Sequence, residues 1–236
     1  MQTNKRPNIL LALADDASHF SAYGHDFVRT PNFDRMAAEG VLFQRAFTTN
    51  PKCAPSRASI LTGRHTWQNR ESCLHSNVWP ENLPVYPDYL SEAGYHVGFT
   101  GKPWSPGNWK RCGRTRNPAG EEYNEHTLTP PEGSLIGNTD YAENFRSFLA
   151  DKDPDQPFCF WYGIREPHRG YQFGEGRRNG KQPEEITEIP PTGPRTTSSA
   201  RTCWTTPSRS SGSTSSSAKP LRFSESRENS KTPWLS

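Results

Sequence analysis

The stretch "RPNILLALADD", residues 6–16, decides how the rest of the chain is read. "NILLALA" (8–14) is a continuous apolar run, the pattern of a central parallel strand buried on both faces. It ends in two aspartates, so a buried strand meets two carboxylates. In folds with a parallel sheet, chemistry sits at the carboxyl ends of strands. Asp15 and Asp16 are therefore the first site candidates. Adjacent carboxylates can ligate a hard divalent cation through oxygen, and they can equally cap a turn.

Working outward, the chain alternates strand and helix. "RTPNFDRMAAEG" reads as a helix with Thr30 at the N-cap, Pro31 in the first turn and Gly40 as the stop. "VLFQRAF" (41–47) alternates like a strand. "PSRASILTG" predicts a helix with Pro at its first position and Gly63 at its end. "NLPVYPDYLSEAG" predicts a proline-interrupted helix ending at Gly94, and "YHVGFTG" a short strand. "TDYAENFRSFLADK" places Tyr141, Phe145, Phe148 and Leu149 at helical spacing. "QPFCFWYGI" is another buried strand. This order predicts an α/β fold, a mostly parallel sheet with helices on both faces. Lys102 and His168, like the aspartates, fall just after predicted strands.

The totals set limits. The 236 residues suffice for one domain with a sizeable core. Apolar residues make up 31%, and 18 Gly with 22 Pro imply many loops. A net charge of +3 gives no argument for nucleic acid. Five cysteines form no zinc spacing and no disulfide framework. No segment reaches the roughly 20 apolar residues of a membrane span. The first apolar run is too short for a signal peptide, so no export signal is expected in the chain as written.

"NPKCAPSRASILTGR" (50–64) sets Cys53 just ahead of a helix, where the dipole favours negative charge. Arg57 lies about one turn on and could hold an anion. Cys73, Cys112 and Cys159 read as buried structural cysteines. Taken singly, Cys53 would read the same way, Lys102 as a solvated loop lysine, and His168 as a loop histidine.

"CAPSRASILTGR" resembles the C-x-P-S-R…L-T-G-R signature of the sulfatase family. "RPNILLALADD", "TPNFDRMAAEGVLFQRAFT", "LSEAGYHVGFTGK" and "PFCFWYGIREPHRG" follow in the family's order, over residues 6 to about 191. "EPHRG" resembles the heparan N-sulfatase (sulfamidase) branch. The resemblance implies an alkaline-phosphatase-like α/β fold. It implies Ca²⁺ bound by Asp15, Asp16 and the residue derived from Cys53. Cys53 would be oxidised to formylglycine by a formylglycine-generating maturation enzyme that reads the motif. One oxygen of the hydrated aldehyde would attack sulfur, the alcohol or amine would leave, and collapse to the aldehyde would release sulfate. Arg57 and Lys102 would hold the charge, and His168 would touch the sulfate and protonate the leaving group. The partner would be a sulfated glycan or a small sulfate ester, with no nucleic acid and no membrane. Family members are often periplasmic, secreted or lysosomal. The sequence departs in "TGKPW", where Trp104 stands two residues after the lysine and many members carry His. A related phosphatase or phosphodiesterase is the enzymatic alternative, disfavoured by Cys at the nucleophile. An inactive fragment or binding module is the other.

Composition changes near Thr192. Residues 192–236 hold 21 Ser or Thr and no Asp. The expected domains are 1–191, the N-terminal part of a sulfatase catalytic domain, and 192–236, a Ser/Thr/Arg/Pro-rich disordered tail. Synonymous codons regrouped by one base turn residues 202–214 and 219–235 into family-like helical sequence. The tail is therefore expected to be out of frame, the catalytic fold to be incomplete, and the chain as written to be inactive.

Overall fold

A computed structural model describes residues 6–130, 136–168, 180 and 182. The expected tail and the boundary at 191 lie outside the described residues. The chain divides into two compact units, Met1–Asp15 with Ala46–Arg165 and Asp16–Arg45 with Glu166–Ser236.

The first unit is built on a four-stranded sheet. Its strands are β1 (Ile9–Asp15), β3 (His96–Gly101), β5 (Glu121–Glu122) and β6 (Phe158–Pro167), in the order β1-β6-β3-β5. β3 pairs in parallel with β6 from His96↔Phe158 to Gly101↔Gly163, and with β5 at Gly98↔Glu121. β6 runs on into the first residues of the second unit. Two-residue strands β2 (Asn77–Val78) and β4 (Gly107–Asn108) form a separate parallel pair.

The period of two in each strand sorts the core. One face carries Tyr95, Val97 and Cys159, with Ile9 and Leu90 against them. Phe99 and Trp161 continue that face, meeting Ala54, Ala58 and Leu61 of α2 (Cys53–Thr62), with Leu11 and Leu13 alongside. Tyr86 of α3 (Tyr86–Glu92) packs against the same face. The opposite face is aromatic. Phe148 of α4 (Tyr141–Asp151) stacks on His96 at 4.4 Å and lies 4.4 Å from Phe160, and Phe145 lies 4.9 Å from Phe160. Helices thus cover both faces, as expected.

Local signals explain the helix ends. Asp140 caps α4 by accepting from Glu143 N. Gly63 ends α2 in the left-handed region at φ 66°. α2 starts at Cys53, two residues before the proline expected to open it, because Pro55 falls within the first turn, where no N–H is missed. Pro87 plays the same part in α3, which begins only at Tyr86.

The segment 41–47 is not a strand. A strand must pair its N–H and C=O groups, and none of the described strands adjoins these residues. Val41, Phe43 and Phe47 are instead exposed, Phe47 by 91%.

In the second unit, α1 (Pro31–Glu39) follows a 3-10 turn at Ser21–Tyr23. Thr30 stands at the cap position, yet its hydroxyl does not cap the helix. It pairs with Ser21 Oγ at 2.6 Å and donates to Asp34 at 3.3 Å. Phe20 stacks on Phe33 at 4.3 Å.

Candidate active site

Two strand ends and one helix start build the cluster in the first unit. Asp15 is the last residue of β1, Lys102 follows β3, and Cys53 is the first residue of α2. Asp15 is 6% exposed, Arg57 2% and Lys102 9%. Arg57 Nη2 donates to Asp15 Oδ1 at 3.1 Å, and Lys102 Nζ donates to Asp15 Oδ2. Lys102 Nζ also lies 3.1 Å from Cys53 Sγ, which is 3.7 Å from Asp15 Oδ2. Burial alone would raise the Asp15 pKa. The Lys102 hydrogen bond and the charges of Arg57 and Lys102 outweigh it and hold the carboxyl below its ordinary value.

Main-chain contacts fix the cations. Arg57 Nη1 donates to the carbonyls of Lys102 and Pro103, and its guanidinium lies 5.8 Å from the Trp161 ring. Trp161 Nε1 donates to the Lys102 carbonyl at 3.1 Å, and Lys102 N donates to Gly163 O at 2.7 Å. β3 and β6 approach so closely here that a Cβ on Gly101 would fall 2.1 Å from Gly163 O. Gly101 also has φ 76°, so glycine is required twice over. Trp104 is fully buried, donates from Nε1 to Ala54 O at 3.1 Å and meets Trp79 edge-on at 4.9 Å. It therefore braces the first turn of α2, next to Cys53.

The second unit holds the other two candidates. Asp16 has φ 58°, a left-handed conformation that Asp tolerates better than most residues. Its Oδ2 pairs with His168 Nδ1, and both side chains are about half exposed.

The sequence thus named Asp15, Cys53, Arg57 and Lys102, which the first unit brings together, and Asp16 and His168, which the second unit pairs. Arg57 is turned inward onto Asp15 and two carbonyls. Lys102 is buried on Asp15, not solvated. The sequence did not single out Trp161 or Asn117, whose Nδ2 donates to Trp104 O at 3.2 Å. A tryptophan in an apolar run reads as core, and nothing in the letters shows that its N–H holds a site carbonyl. Asp15 and Asp16 are hard oxygen donors, and Asp15 is held ionised, so the donor chemistry fits Ca²⁺.

The sheet, with helices on both faces and a carboxylate–cation cluster at its strand ends, has an alkaline-phosphatase-like α/β fold. A sulfatase family model matches residues 7–203, and the chain belongs to the sulfatase family. It is 36% identical over 172 residues to human N-sulphoglucosamine sulphohydrolase, covering 69% of this chain and 32% of that protein. It is 31% identical over 184 residues to N-acetylglucosamine-6-O-sulfatase of Bacteroides thetaiotaomicron, covering 72% of this chain and 32% of that one. The chain thus spans about a third of the length of these relatives. In fold it is similar to an enzyme solved in complex with its substrate D-glucosamine-2-N,6-O-disulfate. The TM-score is 0.56 at 23% identity, over 79% of this chain and 40% of the other. The phosphonate monoester hydrolase of Agrobacterium radiobacter shares the fold at TM-score 0.51 and 19% identity, over 88% and 57% of the two chains.

Proposed function

We propose that this chain carries the nucleophile-bearing part of a sulfatase that hydrolyses sulfate esters or sulfamates on glycans. The observation that supports it best is Cys53 at the start of α2, within 3.1 Å of Lys102 Nζ and beside buried Asp15. Oxidised to formylglycine, the Cys53 side chain supplies the attacking oxygen. Lys102 holds positive charge beside that side chain, where negative charge develops on the sulfate oxygens. Arg57 keeps Asp15 ionised and Lys102 in place. His168, held by Asp16, donates the proton that the leaving alcohol or amine takes up. Ca²⁺ held by Asp15 and Asp16 would supply Lewis-acid charge at the sulfate. The sugar N-sulfate and 6-O-sulfate named for the relatives support a sulfated glucosamine-type unit as substrate.

Residues 1–191 are the catalytic part in this reading, and 192–236 add no carboxylate of the Asp type to the metal shell. The 236-residue chain alone is accordingly expected to turn over no sulfated glycan. Measured turnover by the purified chain would overturn that expectation.

The deciding experiment is co-expression with a formylglycine-generating enzyme, followed by mass spectrometry of the Cys53 peptide. The expected product has lost CH₂SH and gained CHO, and reacts with a hydrazide probe. Cysteine left intact in soluble, folded chain would refute the proposed nucleophile.

A further inference from the structure

Cys53 Sγ and Lys102 Nζ are 3.1 Å apart, close to the contact distance of sulfur and nitrogen. Lys102 cannot drift far. Its backbone N–H is bound to Gly163, its carbonyl to Trp161, and its ammonium to Asp15. Cys53 is half-buried and in no disulfide, so a small oxidant can reach it. A thiol oxidised at this position already has an amine in contact with it.

We propose that Cys53 and Lys102, before any maturation, form a peroxide-dependent sulfenamide cross-link. Hydrogen peroxide oxidises the thiol to a sulfenic acid and is itself reduced to water. Lys102 Nζ then attacks the sulfur. The S–N bond forms and the S–O bond breaks. The oxygen leaves as water with one ammonium proton, a second proton passes to solvent, and one hydrogen stays on nitrogen. No further oxidant is consumed. An added dithiol reverses the link: one thiol attacks sulfur and returns the amine, and the second thiol releases Cys53. The cross-link stands on the thiol and the amine alone; only its consequence, that linked Cys53 has no thiol left to oxidise to an aldehyde, rests on the sulfatase reading.

The test treats the purified chain with hydrogen peroxide in calcium-free buffer, digests it without reductant, and maps linked peptides by mass spectrometry. The expected result is a Cys53–Lys102 peptide pair, two hydrogens lighter than its separate peptides, that disappears with dithiothreitol. Lys102→Arg keeps the cation on Asp15 and should lose the linked pair. Lys152→Arg, at the C-terminal cap of α4, should retain it. Cys53 found instead as a dimedone adduct, a sulfonic acid or a disulfide, with the Lys102 peptide unmodified, overturns the proposal. So does a linked pair that survives Lys102→Arg.

Discussion

At the scale of single residues, the cluster is governed by charge compensation. Asp15 answers two buried cations, so Asp15→Asn leaves both without a counter-charge. Breaking a buried pair in this way costs about 3–5 kcal/mol. Urea denaturation should show a lower midpoint at an unchanged slope. A midpoint within error of the parent would mean that Arg57 and Lys102 are solvated in solution. The acid limb follows from the same contacts. The folded Asp15 pKa lies below its unfolded value of 3.8, so its stabilisation is complete above 3.8 and is lost as pH falls through the folded value. His96 acts at higher pH. Burial holds its pKa below 6.5, against the weaker opposing pull of Asp151 and Glu121. The unfolded chain binds the proton first, so stability is complete above 6.5 and falls as pH drops from there through the folded value. His96→Gln keeps an acceptor for the Tyr123 hydroxyl and removes the titration. The melting temperature of that variant should lose its slope below 6.5.

At the scale of elements, the aromatic face under α4 holds the sheet. Phe148 is fully buried among His96, Phe158 and Phe160. Phe148→Ala should cost about 3–5 kcal/mol, a large part of the whole stability of such a domain. Loss of near-ultraviolet circular dichroism at 37 °C would register it, and an unchanged melt would count against the packing described. The strands at the site were legible because they are uninterrupted apolar runs, and α2 and α4 because proline, aspartate and glycine mark their ends. Segment 41–47 was misread because alternation states only that a strand could half-bury there, not that a partner exists. The order β1-β6-β3-β5 was not legible, since adjacency in a parallel sheet is set by crossovers and not by neighbouring letters. The aspartates and Lys102 were found because site residues follow buried strands. The inward turn of Arg57 was not, because its carbonyl partners carry no side-chain signal.

At the scale of the whole molecule, the chain leaves large apolar side chains in water. Phe47 is 91% exposed, Val41 78% and Phe43 69%. Exposed apolar side chains of this size favour association. Phe47→Ser should lower the concentration dependence of the sedimentation coefficient without lowering the melting temperature, because the ring is packed on nothing that the substitution would unseat. Equal association of parent and variant would show that Phe47 is not the adhesive surface. Among the described residues no helix is long and apolar enough to cross a membrane.

The close approach of Gly101 to Gly163 also limits what variation this chain can accept. A methyl at Gly101 meets a main-chain oxygen, and one at Gly163 meets the main-chain carbonyl of Lys102. Side chains can be exchanged for smaller ones, but a backbone carbonyl cannot. Neither glycine therefore has a compensating partner mutation, and in a library of doubly substituted chains both positions should come back as glycine in every folded survivor.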